Sequence, residues 1–241
     1  MKKLYDKNEL RFSLIGIGIY VVVMMLADNA SGLLGTEKLV TAPACLAMVC
    51  ILYGWISRNG LKEKYGLCAP EGSAGRYLYF IPLALIASVN LWWGITLRLT
   101  AAETALYVIS MLCVGFLEEI LFRGLLYKAI CRENEKQAVV ISSLTFGVGH
   151  IVNLLNGRDI PETLLQLCYA TAIGFLFVVI FQKVKSLIPC IITHGILNSL
   201  SAVADTEAAP AWHQTAGSAF LCAAALSYAL YILYRTRDHQ V

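Results

Sequence analysis

Thr163-Leu-Leu-Gln-Leu-Cys-Tyr-Ala-Thr-Ala-Ile-Gly-Phe-Leu-Phe-Val-Val-Ile-Phe-Gln182 contains no Asp, Glu, Lys or Arg. At ~1.5 Å per residue, a helix of this length is ~30 Å long, the thickness of a bilayer's hydrocarbon layer. Working outward with the same requirement of ~17–25 apolar residues gives further spans at about 12–32, 39–57, 77–97, 104–122, 137–156, 186–204 and 215–234. The 104–122 span keeps good helix formers to about residue 130. Of the 241 residues, 58% are hydrophobic and 15% charged, whereas soluble domains carry ~25% charged residues. The expected fold is all-α, a polytopic membrane protein of about eight transmembrane helices.

Lys and Arg fall on alternate sides of these spans. With the N-terminus inside, 16 of the 19 lie on inner segments, Arg76, Arg123 and Arg237 among them, and Lys38, Arg98 and Arg158 lie on outer loops. Basic residues are retained on the cytoplasmic side, so a multi-pass protein of the cell membrane with both termini cytoplasmic is expected. The inner basic loops attract anionic headgroups as a secondary effect. The basic residues form short clusters between apolar spans rather than one stripe, which argues against nucleic acid as a partner. The bilayer itself is the first partner.

Residues 1–100 read as N-terminal transmembrane helices, 101–205 as a core that carries the buried polar residues described below, and 206–241 as a C-terminal helix and tail. The outer loop 205–214 carries Asp205, Glu207 and an interfacial Trp212. Most of the eight cysteines sit inside apolar runs without metal-type spacing, so they read as small buried hydrophobes. The first span resembles a signal sequence, but Asp28 interrupts the small-residue site that cleavage needs, and an uncleaved helix is expected.

Ionisable groups inside spans cost at least ~2.5–3.5 kcal/mol each and so mark function. Three stretches contain them. In Cys113-Val-Gly-Phe-Leu-Glu118-Glu119-Ile-Leu-Phe-Arg123, Glu119 and Arg123 are four apart and share a helical face in the favourable acid-first order. Adjacent Glu118 points about 100° away on an α-helix and has no local cation, as a general base or proton shuttle requires. Phe146-Gly-Val-Gly-His150 places a histidine beside two glycines that admit a neighbouring backbone. His194 and Asn198, in Thr193-His194-Gly-Ile-Leu-Asn198, share one face and suit metal binding, oxyanion stabilisation or interhelical hydrogen bonding. His194 lies roughly 12 Å from the inner end of its span and Glu118 in the inner third of its own, so the three stretches are expected to meet in a cavity open to the cytoplasm. His213 and His239 read as solvated and uninvolved.

At these residues the chain resembles the CPBP family, the type II CAAX prenyl endopeptidases and their bacterial relatives, including bacteriocin-immunity-type proteins. The family's EExxxR, FxxxH and HxxxN/D motifs stand here as Glu118-Glu119-x3-Arg123, Phe146-x3-His150 and His194-x3-Asn198. The resemblance implies an intramembrane endopeptidase acting on a membrane-associated protein or peptide, with lipidated CAAX-type chains among the candidates. Glu118 and His150 would activate water, His194 and Asn198 would stabilise the oxyanion, and Glu119 and Arg123 would support them. A divalent metal such as zinc is the family's other proposed route, although HExxH is absent from the sequence. Two other readings remain: a non-enzymatic immunity or membrane partner protein, and a proton-coupled transporter, for which no paired Gly/Pro-broken helices stand out around Pro82 and Pro189.

Overall fold

The computed structural model describes residues 1–71, 80–155, 157–205, 209–210 and 212–237, with backbone alone for 236 and 237. Arg76, Glu207 and His239 lie outside these residues, as does the side chain of Arg237. The described elements are helical: α1 (Lys2–Lys7), α2 (Glu9–Leu33), α3 (Thr41–Arg58), α4 (Ile81–Ala87), α5 (Ala101–Glu118), a π-helical stretch (Glu119–Tyr127) running into α6 (Lys128–Cys131), α7 (Glu135–Gly149), α8 (Ile160–Val184), α9 (Ile188–Leu200) and α10 (His213–Arg237). Among them the only β-type pairing is an isolated bridge between Ile95 and Ala204.

Six helices are long and apolar enough to cross a membrane: Glu9–Leu33, Thr41–Arg58, the 31-residue run Ala101–Cys131, Glu135–Leu154, Ile160–Val184 and His213–Arg235. They correspond to six of the eight expected spans, and the prolongation past residue 122 continues to Cys131. The other two are shorter. Within 77–97, the described part forms α4, a 3-10 turn at Val89–Leu91 and then a loop through Gly94, whose φ of +120° ends the helix. The 186–204 span is α9 with a 3-10 turn at Ser201–Val203. Both short helices begin with a proline in the first turn and pack against each other. Pro82 and Pro189 thus start two neighbouring helices rather than standing in unrelated contexts.

Caps define the ends. Asn8 accepts from the Arg11 amide at 2.7 Å, Asn134 from the Gln137 amide at 3.0 Å, and Thr100 with Glu103 forms a reciprocal capping box. The Glu103 carboxylate also accepts from the Glu37 amide at 3.2 Å, placing the start of α5 beside the α2–α3 turn. At the opposite end, Glu9 takes Lys64 Nζ at 2.7 Å and Arg132 Nη1 at 2.8 Å, and the Ser186 hydroxyl donates to Cys68 O at 2.6 Å. The bundle therefore has two distinct ends, one carrying residues 1–11, 59–71, 128–136 and 183–187, the other carrying 34–40, 92–100, 154–155, 157–162, 203–205, 209–210 and 212–214.

Apolar surface gains little by leaving lipid for protein, so small residues that allow close contact are needed to bring helices together. A Cβ on Gly115 would stand 2.7 Å from Gly195 N and 2.9 Å from its Cα, so α5 and α9 touch backbone to backbone beside the polar residues that both helices carry. Similarly, a Cβ on Gly147 would meet Leu167 O at 2.9 Å, at the α7–α8 crossing. Gly115→Ala is expected to destabilise the protein by about 1–3 kcal/mol through overpacking. Gly18→Ala has nothing within 4 Å and should be neutral or stabilising by up to about 1 kcal/mol. Thermal unfolding of both variants in one detergent would separate them.

Candidate active site

The π-helical stretch carries Glu119 and Arg123 into the interior, and all nine of its residues are buried. Arg123 Nη1 donates to Glu119 Oε1 at 3.0 Å, with both side chains fully inaccessible. The guanidinium lies over the Phe146 ring, its carbon 3.9 Å from the centroid, a cation–π contact that partly offsets the loss of water. Gly174 makes room for it, since a Cβ there would stand 3.0 Å from Arg123 Nη2. The count of cytoplasmic basic residues is corrected accordingly: Arg123 is a core residue rather than a loop residue.

His194, on α9, joins the two glutamates. Its Nδ1 donates to Glu119 Oε1 at 2.9 Å, and its Nε2 lies 3.6 Å from Glu118 Oε2. Adjacent carboxylates were not expected to serve one face, yet both reach the same ring because an imidazole offers nitrogens on two sides. Nδ1 is thereby held by Glu119, and Nε2 is the nitrogen that faces the Glu118 carboxylate. Glu118 Oε2 is buried and has no hydrogen-bond partner, while its Oε1 accepts from the Tyr20 hydroxyl at 2.6 Å.

His150 begins a 3-10 turn at the end of α7, and its Nδ1 donates to Phe146 O at 3.0 Å. That leaves Nε2 as the nitrogen with the free lone pair. Phe146 packs edge-on against both histidines, with centroids at 5.2 Å to His150 and 5.7 Å to His194. This explains the phenylalanine of the second motif: one ring supports the arginine and spaces the two imidazoles. His150, His194 and Asn198 line a cavity of about 450 Å³. Glu118 is not part of its wall; it stands behind His194 with 14% of its side chain accessible.

All six residues expected at the site are thus brought into one neighbourhood. Two placements differ from expectation. The cavity runs from His194 toward Arg158, Asp205 and Gln214, the end of the bundle opposite the basic loops. Cytoplasmic termini and a cytoplasmic mouth therefore cannot both hold in this fold. The depth estimate failed because the Glu118 helix continues to Cys131, which leaves Glu118 near its middle. His213, read as uninvolved, lines the cavity and its Nδ1 donates to Pro210 O at 2.8 Å.

Sequence reasoning passed over Tyr20. A single tyrosine among aliphatic residues in the middle of the first span has a hydroxyl that lipid cannot satisfy, and that signal was available. A metal centre fits poorly. Among the described residues no three His, Cys, Asp or Glu side chains are grouped to hold an ion, and Glu119 Oε1 is already engaged by Arg123 and His194.

The fold defines a class, the helical, polytopic membrane proteins, with six helices long and apolar enough to cross a bilayer among the described residues. Residues 100–200 match the family model described as Rce1-like, Type II CAAX prenyl endopeptidase Rce1-like. Among curated proteins the chain is similar to one described as "Putative membrane peptidase YdiL" from Bacillus subtilis (strain 168), 25% identical over 188 residues and covering 72% of each chain. No solved structure matches. The similarity is thus to type II CAAX prenyl endopeptidases over residues 100–200 and to a membrane peptidase so described in Bacillus subtilis.

Arg123→Met would leave the Glu119 carboxylate buried without its cation. A loss of about 3–5 kcal/mol is expected, measurable as a lower unfolding temperature and reduced yield of monodisperse protein in detergent.

Proposed function

We propose that this chain is an endopeptidase that hydrolyses a peptide bond of a membrane-associated protein or peptide using its own glutamate and histidines. The observation that carries this reading is the Glu118 carboxylate, buried 3.6 Å from His194 Nε2, next to a cavity walled by two histidines and an asparagine.

His150 Nε2 faces the attacking water as the base in the cavity wall. His150 takes the water's proton and stores it, while the Glu118 carboxylate, 3.6 Å behind His194 Nε2, offsets the positive charge that builds up on the histidines. As the water oxygen bonds to the scissile carbonyl carbon, the carbonyl oxygen becomes an oxyanion. The His194 N–H and the Asn198 carboxamide, one helical turn apart, stabilise it. Collapse breaks the C–N bond, and the stored proton passes to the leaving nitrogen. Glu119 and Arg123 fix the His194 ring and act as positioning residues, because Glu119 holds Nδ1 and leaves Nε2 for the reaction.

The test is cleavage of membrane-peptide libraries by the purified protein in liposomes. Glu118→Gln and His150→Ala should each lower turnover by at least ~100-fold, and Asn198→Ala by roughly 100-fold, with folding unchanged. Turnover that survives Glu118→Gln would sink the mechanism and favour a non-enzymatic partner role. Activity lost to a chelator and restored by zinc would overturn the metal-free route.

Tyr20→Phe tests positioning rather than chemistry. Losing the 2.6 Å bond to Glu118 frees that carboxylate, so kcat should fall several-fold with KM little changed, and the pH–rate profile should move. A merely structural role would leave the profile in place.

A further inference from the structure

We infer that the catalytic cavity is entered from the extracytoplasmic face of the membrane, so that its substrates are chains presented on that side rather than cytosolic lipidated C-termini. This rests on the peptidase reading for the word substrate, but the sidedness stands on two independent observations.

The first is charge. Fourteen of the 19 Lys and Arg lie at the bundle end that carries residues 1–11, 59–71 and 183–187, while only Lys38, Arg98 and Arg158 lie at the other end. Arg123 is buried between the two, and Arg76 lies outside the described residues. Contacts hold these groups at their ends: Glu9 gathers Lys64 and Arg132 at one, and Gln214 donates to Glu162 at 2.9 Å at the other. Removing Arg123 from the count leaves the asymmetry intact, and a bias of this size sets cytoplasmic orientation for the basic end.

The second is the shape of the cavity. Its walls pass from His150 and His194 to exposed Arg158 and Gln214 at the weakly basic end. Toward the basic end it is closed, since Arg123, Phe177, Phe181 and Leu187 are all at most 1% accessible. Trp93 stacks edge-on with Trp212 at 4.9 Å beside the mouth, where interfacial aromatics belong.

Together these place the mouth on the far side from the cytoplasm. Along α8 the wall extends from Glu162 to Phe177, a depth of ~22 Å at ~1.5 Å per residue. An extended chain rises ~3.3 Å per residue, so roughly six or seven residues reach from the mouth to the histidines. The wall changes from charged (Arg158, Glu162, Asp205) to apolar (Leu165, Ile173, Leu197) along that path. The matching substrate is an exported or membrane-anchored peptide with a free, apolar extended segment at the outer leaflet.

The experiment is cysteine accessibility in whole cells. The five cysteines that are not buried are replaced by serine, and Leu155→Cys, Gln166→Cys and Glu133→Cys are introduced singly. Leu155 and Glu133 are exposed at opposite ends, and Gln166 lines the cavity. A small membrane-impermeant thiosulfonate should modify Leu155→Cys and Gln166→Cys in intact cells, and Glu133→Cys only after permeabilisation. The reverse pattern, or modification of Glu133→Cys in intact cells, overturns the inference. If the serine-substituted chain does not fold, an epitope inserted after Leu155 in the native chain gives the same answer by antibody binding before and after permeabilisation. Because accessibility is read without turnover, a protein labelled as expected but unable to cleave would sink the peptidase reading and leave the sidedness standing.

Discussion

The Glu119–Arg123 pair, with neither side chain accessible to solvent, is the constraint around which the rest of the bundle is arranged. Two charges in a low-dielectric interior are tolerable only when they neutralise each other and find further polar or aromatic contact. Here the contact comes from three other helices. Phe146 of α7 lies under the guanidinium, Gly174 of α8 clears space beside it, and His194 of α9 takes the same carboxylate oxygen as the arginine. The pair in turn fixes the imidazole of His194, whose Nδ1 is held by the same Glu119 oxygen that Arg123 engages.

The close crossings follow from the same requirement. For His194 to reach both carboxylates, α9 must approach α5 more nearly than ordinary side chains permit, and Gly115 against Gly195 provides that approach. The π-helical geometry from Glu119 to Tyr127 belongs to the same solution. Inserted π turns recur at functional sites, and here the Ser142 hydroxyl donates to Phe122 O at 3.0 Å within the stretch.

Much of this was legible in the sequence. Uncharged runs such as 163–182 announced the membrane, and the i, i+4 spacing of Glu119 with Arg123 announced the pair that forms. The site residues stood out because each is polar in an apolar setting. Register and depth were harder. The 77–97 run is apolar enough to resemble a span, but Asn90 and Gly94 break it, and Asn90 instead donates its carboxamide to Leu197 O at 2.7 Å. The cavity's direction could not be read from helix ends taken one at a time, because it depends on how far past Glu118 the helix continues. His213 shows the same limit: a loop residue by pattern, it is brought to the cavity by the seating of α10 against α8.

The family model matches residues 100–200, whereas the geometry of the site is not confined to them. Tyr20, on α2, makes the hydrogen bond that Glu118 Oε1 depends on, and Leu121 of the π-helical stretch would lie 3.2 Å from a Cβ at Gly16. The first helix therefore presses directly against the segment that carries both glutamates. If positions in this helix vary freely, the orientation of Glu118 varies with them, even when every motif residue is retained. On the peptidase reading proposed above, the chain is then one bundle in which α2 tunes the site, and the setting of Glu118 can change without any change to Glu118, His150, His194 or Asn198.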